Sequence, residues 1–305
     1  HPLTATYGGS ASYNTSTSLI DTQTVNKANT STTLTSTPDP SVLGQPKILT
    51  ATVTATAPGT GTPTGTVSFF DGATLIGTST LTAGVATLTT ATLTVGSHPL
   101  TATYGGSASY NTSTSLIDTQ TVNKANTSTA LTASPNPSTS GQAVTLTATV
   151  AAVAPGGGTP TGTVSFFDGA TLLGTGALSG GVATFTTSSL SVGSHSLTAV
   201  YGGSGSYNGS TSPAVTQTVS ASLPPNLVAA IPSSGSTVGG TSVLLVGSNL
   251  NGVTSVTFGG VPATIVSQSF GTFVTVTSPP HSAGTVNVVV NTASGPSNPV
   301  NFTYM

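Results

Sequence analysis

Charge is almost missing from this 305-residue sequence: lysine and arginine together number three, aspartate and glutamate five, and the formal net charge is −2. All the cations are lysine and all the anions aspartate. A chain so poor in cations cannot neutralise a row of phosphates or hold an anionic bilayer, so nucleic acid and membrane surfaces are poor partners. Cysteine is absent as well. That removes disulfides, thiol nucleophiles and cysteine metal sites, and leaves folding to burial and sheet hydrogen bonds. No apolar run reaches the roughly 18 residues of a membrane span, so no membrane insertion is expected in this segment. The start at His1, without methionine or a signal peptide, leaves export undecided.

With 3% charged residues against a usual quarter, something neutral must cover the surface. Thr, Ser, Gly and Asn do so. Thr alternating with Val is the pattern of a strand with one buried and one wet face, and no stretch reads convincingly as a helix. The fold class expected is all-β.

Internal repetition is the strongest signal. His1 to Thr32 recurs without change from His98 to Thr129, an offset of 97 residues. The same offset carries Thr62 to Gly72 onto Thr159 to Gly169, and Tyr104 onto Tyr201. A period near 100 residues suits one independently folding sandwich per repeat, arranged as beads on a string. The expected division is a partial repeat at 1–26, full repeats at 27–123 and 124–221, and a different domain at 222–305 beyond the stiff linker Ala221 to Pro225. Strands are predicted near Thr127–Ala133, Ala143–Val150, Gly162–Phe167, Thr171–Leu173, Gly181–Thr187, His195–Tyr201 and Pro213–Val219. Asp71-Gly72 and Asp168-Gly169 read as two-residue hairpin loops needing positive φ.

The runs GTVSFFDGATLLG and GVATFTTSSLSVGSHSLTAVYGGSGSYNGSTSP resemble bacterial Ig-like repeats, which occur in tandem arrays of exported surface proteins. Residues 226–304 resemble the IPT/TIG Ig-like fold through Pro232-Ser233-Ser234-Gly235, Gly239-Gly240-Thr241, Gly247-Ser248-Asn249-Leu250 and Phe258 to Ala263. These resemblances imply tandem immunoglobulin-like β-sandwiches and an extracellular or cell-surface location. They carry no reacting group. The DNA-contacting members of the second family use basic loops, whereas this domain has no Lys or Arg.

No catalytic, cofactor-binding or metal residue is assigned and no cofactor is implied, and the chain is not expected to be an enzyme. His1, His98 and His195 fall at equivalent repeat positions and read as structural; His281 follows two prolines in a turn and reads as solvated. Asp21, Asp39, Asp71, Asp118 and Asp168 are isolated, whereas calcium sites need clustered oxygens and glycoside hydrolysis a carboxyl pair. Serine is abundant but shows no nucleophile elbow. An intramolecular Lys–Asn or Lys–Asp amide crosslink from Lys47, with an Asp as the catalytic carboxylate, is weighed because cysteines are absent, although the equivalent of Lys47 in the next repeat is Val144. Tyr104, Tyr201, Tyr110 and Tyr207 read as corner tyrosines bonding back to backbone, with a sugar-stacking platform as the competing use. In Phe69-Phe70 and Phe166-Phe167, alternation buries one ring and leaves the other on the opposite face. The Asn-Thr-Ser sites at Asn14, Asn29, Asn111 and Asn126 are sequons only in a host with the machinery.

Residues 1–26 align with only the last two strands of a repeat. Two readings stand: an excerpt of a longer array, or a filament subunit whose N-terminal strands complete or augment a neighbour. The expected role is a non-catalytic stalk or filament segment, with other copies of itself or neighbouring domains of an array as partners. An adhesin binding a cell-surface glycan or protein, and a spacer in a carbohydrate-active enzyme, are the alternatives.

Overall fold

A computed structural model describes residues 1–269 and 271–305, which form strands and turns with no helix among them. The alternation of small β-branched and apolar residues builds the strands directly. Along Lys47–Ala55, the side chains of Leu49, Ala51 and Val53 are buried while Ile48, Thr50, Thr52 and Thr54 face outward. That is the period of two that gives a sheet one dry and one wet face.

In the first full repeat a three-stranded antiparallel sheet runs in the order Val85–Thr90, Lys47–Ala55, Thr30–Thr37. The second sheet runs Ser41–Val42, Asp118–Asn123, Gly96–Tyr104, Thr66–Asp71, Thr74–Thr80, with Ser113–Thr114 also paired to Gly96–Tyr104. Leu49, Val53, Val67, Phe69, Leu100 and Tyr104 close the core between them. Burying each such side chain contributes about 1.5–3 kcal/mol, which a chain without disulfides depends on. The second repeat reproduces this strand order with Thr127–Ser134, Val144–Ala152 and Val182–Thr187 in one sheet. Its other sheet holds Ser138–Thr139, Val215–Ser220, Gly193–Tyr201, Thr163–Asp168 and Thr171–Ala177. Beyond the linker, Asn226–Ile231, Ser242–Ser248, Phe273–Thr277 and Thr264–Ser269 form a four-stranded sheet. Its companion runs Ser234–Gly235, Val300–Tyr304, Gly284–Thr292, Val253–Phe258, Val261–Pro262. Phe258 and Phe302 meet edge to face in this core, ring centroids 5.0 Å apart.

Residues 1–26 form only two-residue strands, Pro2–Leu3 with Asp21–Thr22 and Thr6–Tyr7 with Ser16–Thr17. By Cα proximity the chain divides into two compact units. One contains His1–Ser134, Thr145–Thr186 and Ser196–Thr216; the other contains Pro135–Val144, Thr187–His195 and Gln217–Met305.

Three details depart from the sequence reading. The strand expected at Thr171–Leu173 runs on to Ala177, because a bulge at Phe166/Phe167 skips one residue and restores pairing at Gly174. The last strand begins at Val215 and not at Pro213, which lacks the N–H a ladder needs. The hairpin loops sit one residue later than Asp71-Gly72 and Asp168-Gly169. Asp71 pairs with Thr74 and Asp168 with Thr171, leaving Gly72-Ala73 and Gly169-Ala170 as the turns, with φ +55° at each glycine.

Candidate functional site

The residues singled out in sequence resolve into structural devices of three kinds. The tyrosines form the first. Tyr104 and Tyr201 end their strands fully buried, and their hydroxyls donate to the carbonyl oxygens of Thr64 at 2.6 Å and Thr161 at 2.8 Å. Tyr110 donates to Thr60 O at 3.1 Å and Tyr207 to Gly157 O at 3.2 Å. Burial pushes the Tyr207 hydroxyl above the usual phenol range, and the nearby Tyr201 adds to the shift. Both rings and hydroxyls at these corners are therefore committed to their own domains.

The second is a histidine–aspartate pair. The register Leu100↔Asp71 brings Asp71 beside the start of the neighbouring strand. There Asp71 Oδ2 lies 2.7 Å from His98 Nδ1, and Nε2 of the same ring lies 2.9 Å from the Thr94 carbonyl oxygen. The ring thus bridges the hairpin aspartate and the preceding loop within its own domain. Asp71 is thus not isolated, which corrects the sequence reading; two residues 27 apart meet because the sheet register joins them. Asp39 likewise has a role, its Oδ1 accepting from Gln120 Nε2 at 3.1 Å and from Thr121 N at 2.9 Å. Among the described residues no group of three or more metal-capable side chains gathers.

The third is Lys47. Its side chain is 0% exposed, in phase with Leu49 and Ala51 on the core face, and burial lowers its pKa from 10.5. Nζ donates to the Gln45 carbonyl oxygen at 3.4 Å. Among the described residues no carboxylate forms an ion pair with Nζ.

Phe69 and Phe166 are buried while Phe70 and Phe167 lie partly exposed on the other face, as alternation required. Phe166 stacks on Phe185 with centroids 5.9 Å apart. His281, expected to be solvated, packs instead against Tyr304, rings 5.2 Å apart and 18° from parallel. The Tyr304 hydroxyl donates to Pro279 O at 2.8 Å, a corner bond that the sequence reading missed although its aromatic-rich last strand signalled it.

The bacterial Ig-like domain (group 3) family model matches residues 34–123 and 131–220, and the IPT/TIG domain model matches residues 225–304. None of the curated proteins matches the chain. Among solved structures, the chain is similar to invasin, a bacterial integrin-binding protein, at 17% identity over 90% of this chain and 60% of that one, TM-score 0.48. It is also similar to the fibronectin(III)-like modules of Clostridium thermocellum CbhA, at 20% identity over 62% of this chain and 94% of that one, TM-score 0.28. The Escherichia coli adhesin FdeC is similar at 16% identity over 90% and 96%, TM-score 0.34. From the matched lengths, the chain belongs to the bacterial Ig-like domain (group 3) family, carrying two such domains in tandem followed by an IPT/TIG domain.

Proposed function

We propose that the chain is a non-catalytic structural segment of an extracellular stalk or filament, divided at 1–26, 27–123, 124–221 and 222–305. One observation carries it. Each full repeat closes its own core between two sheets, with Leu49, Val53, Val67, Phe69, Leu100 and Tyr104 in the first, and ties the short strand near its start to its last strand. The near-neutral surface supports the same reading, because little charge keeps neighbouring chains apart.

The tyrosines that a glycan platform would use in the full repeats have their hydroxyls bonded to backbone, and Tyr104, Tyr201 and Tyr207 are buried. That favours a structural role over glycan capture at those loops. Single-molecule stretching of the whole chain tests it. The sandwiches are expected to open one at a time, as separate force steps; a chain that gives way in a single step at low force would sink the proposal.

A further inference from the structure

The two bacterial Ig-like repeats meet, within the first compact unit, at a joint made mostly of backbone. The last strand of the first repeat, Asp118–Asn123, leaves only Lys124 before Ala125 N donates to Ser206 O of the second at 3.1 Å. Lys124 is itself tied forward, its Nζ donating to Ser204 O at 2.7 Å. Beside this short crossing, Leu43 and Gly44 follow the strand Ser41–Val42, which pairs with Asn123. Leu43 O accepts from Gly157 N of the second repeat at 3.0 Å. Gly157 offers its own carbonyl oxygen to the Tyr207 hydroxyl at 3.2 Å, so one residue connects the turn of one repeat to the corner tyrosine of the next. Gly44 faces it closely: a Cβ there would lie 2.7 Å from Gly157 Cα, 2.8 Å from its N and 2.9 Å from its carbonyl carbon.

We infer that this contact is a latch: the Leu43–Gly44 turn is a docking site for the Gly156–Gly157 loop of the repeat that follows, and it holds the two repeats in one orientation. Two comparisons inside the chain point to it. Gly141, the counterpart of Gly44 one repeat later, has nearly the same backbone conformation, φ +80° against +76°, yet open space where a Cβ would stand. Glycine at 44 therefore serves a turn and a close neighbour, whereas Gly141 serves the turn alone. The counterpart of Gly157 in the first repeat is Thr60, whose carbonyl oxygen accepts the Tyr110 hydroxyl at 3.1 Å. The sandwich thus takes a threonine at this corner with its tyrosine bond intact, and the fold of the repeat does not itself demand glycine there. What the missing side chain permits is approach: the atoms nearest a Cβ at Gly157 are Gly44 O, Cα and C, at 3.4, 3.5 and 3.7 Å. A small polar contact ordinarily leaves neighbouring domains free to move. Here the crossing of one residue keeps the two loops at high effective concentration, so a backbone hydrogen bond and one close fit suffice to select an orientation.

Because the chain has no cysteine, Thr78→Cys and Thr175→Cys, at matching exposed positions of the two repeats, place one spin label on each. Pulsed dipolar spectroscopy of the labelled full chain then reads the distance between repeats. A single narrow distribution is expected. Gly44→Ala should widen it about twofold, while Gly141→Ala, with the same turn strain and no neighbour, should leave it unchanged. Gly157→Thr gives a second reading that keeps the sandwich intact, and should widen the distribution without lowering the melting temperature. A broad distribution in the labelled parent overturns the latch, as do parent-like widths in both Gly44→Ala and Gly157→Thr, or equal widening by Gly141→Ala. A loose joint would still leave the sandwiches opening one at a time under force, so the latch stands or fails apart from the stalk role.

Discussion

Lys47 is where one residue works against its surroundings. Its methylenes fill a core position, yet an ammonium there gives up hydration for a single long hydrogen bond to Gln45. Burial lowers its pKa from 10.5, so between that lowered value and 10.5 the unfolded chain binds more protons than the folded one. Stability from this group therefore rises with pH through that window. Lys47→Met keeps an unbranched chain and removes the charge, and is expected to stabilise the protein by about 1 kcal/mol or more at pH 7. The gain should shrink as pH climbs toward 10.5. Thermal melts of both proteins at neutral and alkaline pH check this, and a gain independent of pH would show that the ammonium is not the cause. The sequence reading did not place Lys47 in the core, although its phase with Leu49, Ala51 and Val53 carried the signal. The His98–Asp71 pair left no such signal: spacing alone does not say which strands lie side by side, and only the register Leu100↔Asp71 brings the two together.

Among the strands and turns, glycines separate two kinds of constraint. Gly72 turns the hairpin at φ +55° with open space where a Cβ would stand, so Gly72→Ala meets only the backbone penalty, about 1 kcal/mol. Gly156 has no positive φ, but a Cβ there would come within 2.7 Å of the Ala125 Cβ, so Gly156→Ala must displace the strand entry and costs about 2–3 kcal/mol. Chemical denaturation of the two variants should rank them in that order; the reverse ranking would mean that the Ala125 segment yields easily. Strand identity was the most readable property of the sequence, because Thr alternates with apolar residues over 144–150, and Ser196 and Thr198 alternate with the buried His195, Leu197 and Ala199. The bulge at Phe166/Phe167 was not readable, since it depends on Gly174 standing opposite the packed rings of Phe166 and Phe185. The outward side of the strand Ser242–Ser248 also needed the register: in sequence, Val243 to Val246 is one continuous apolar run with no sign of which side is covered.

For the whole chain, identical sequence in two settings gives a direct comparison. Residues 23–27 carry no strand and are exposed, whereas the following linker is held, Ala28 N donating to Ser109 O at 2.9 Å and Ala125 N to Ser206 O at 3.1 Å. Of the three lysines, Lys47 is buried and Lys124 Nζ donates to Ser204 O at 2.7 Å. Limited trypsin digestion is therefore expected to cut first after Lys27 and to leave Lys47 uncut until global unfolding; early cleavage at Lys47 would contradict the burial described. A last consequence concerns force. In each sandwich a short strand near its start pairs in parallel with its last strand: Ser41 with Val122, Ser138 with Val219, and Ser234 with Thr303. A pull on the two ends of such a domain slides those strands along each other, so their hydrogen bonds are loaded together in shear and do not peel one by one. Each domain therefore resists stretching most strongly along the line of the chain, the direction in which a tether carries its load.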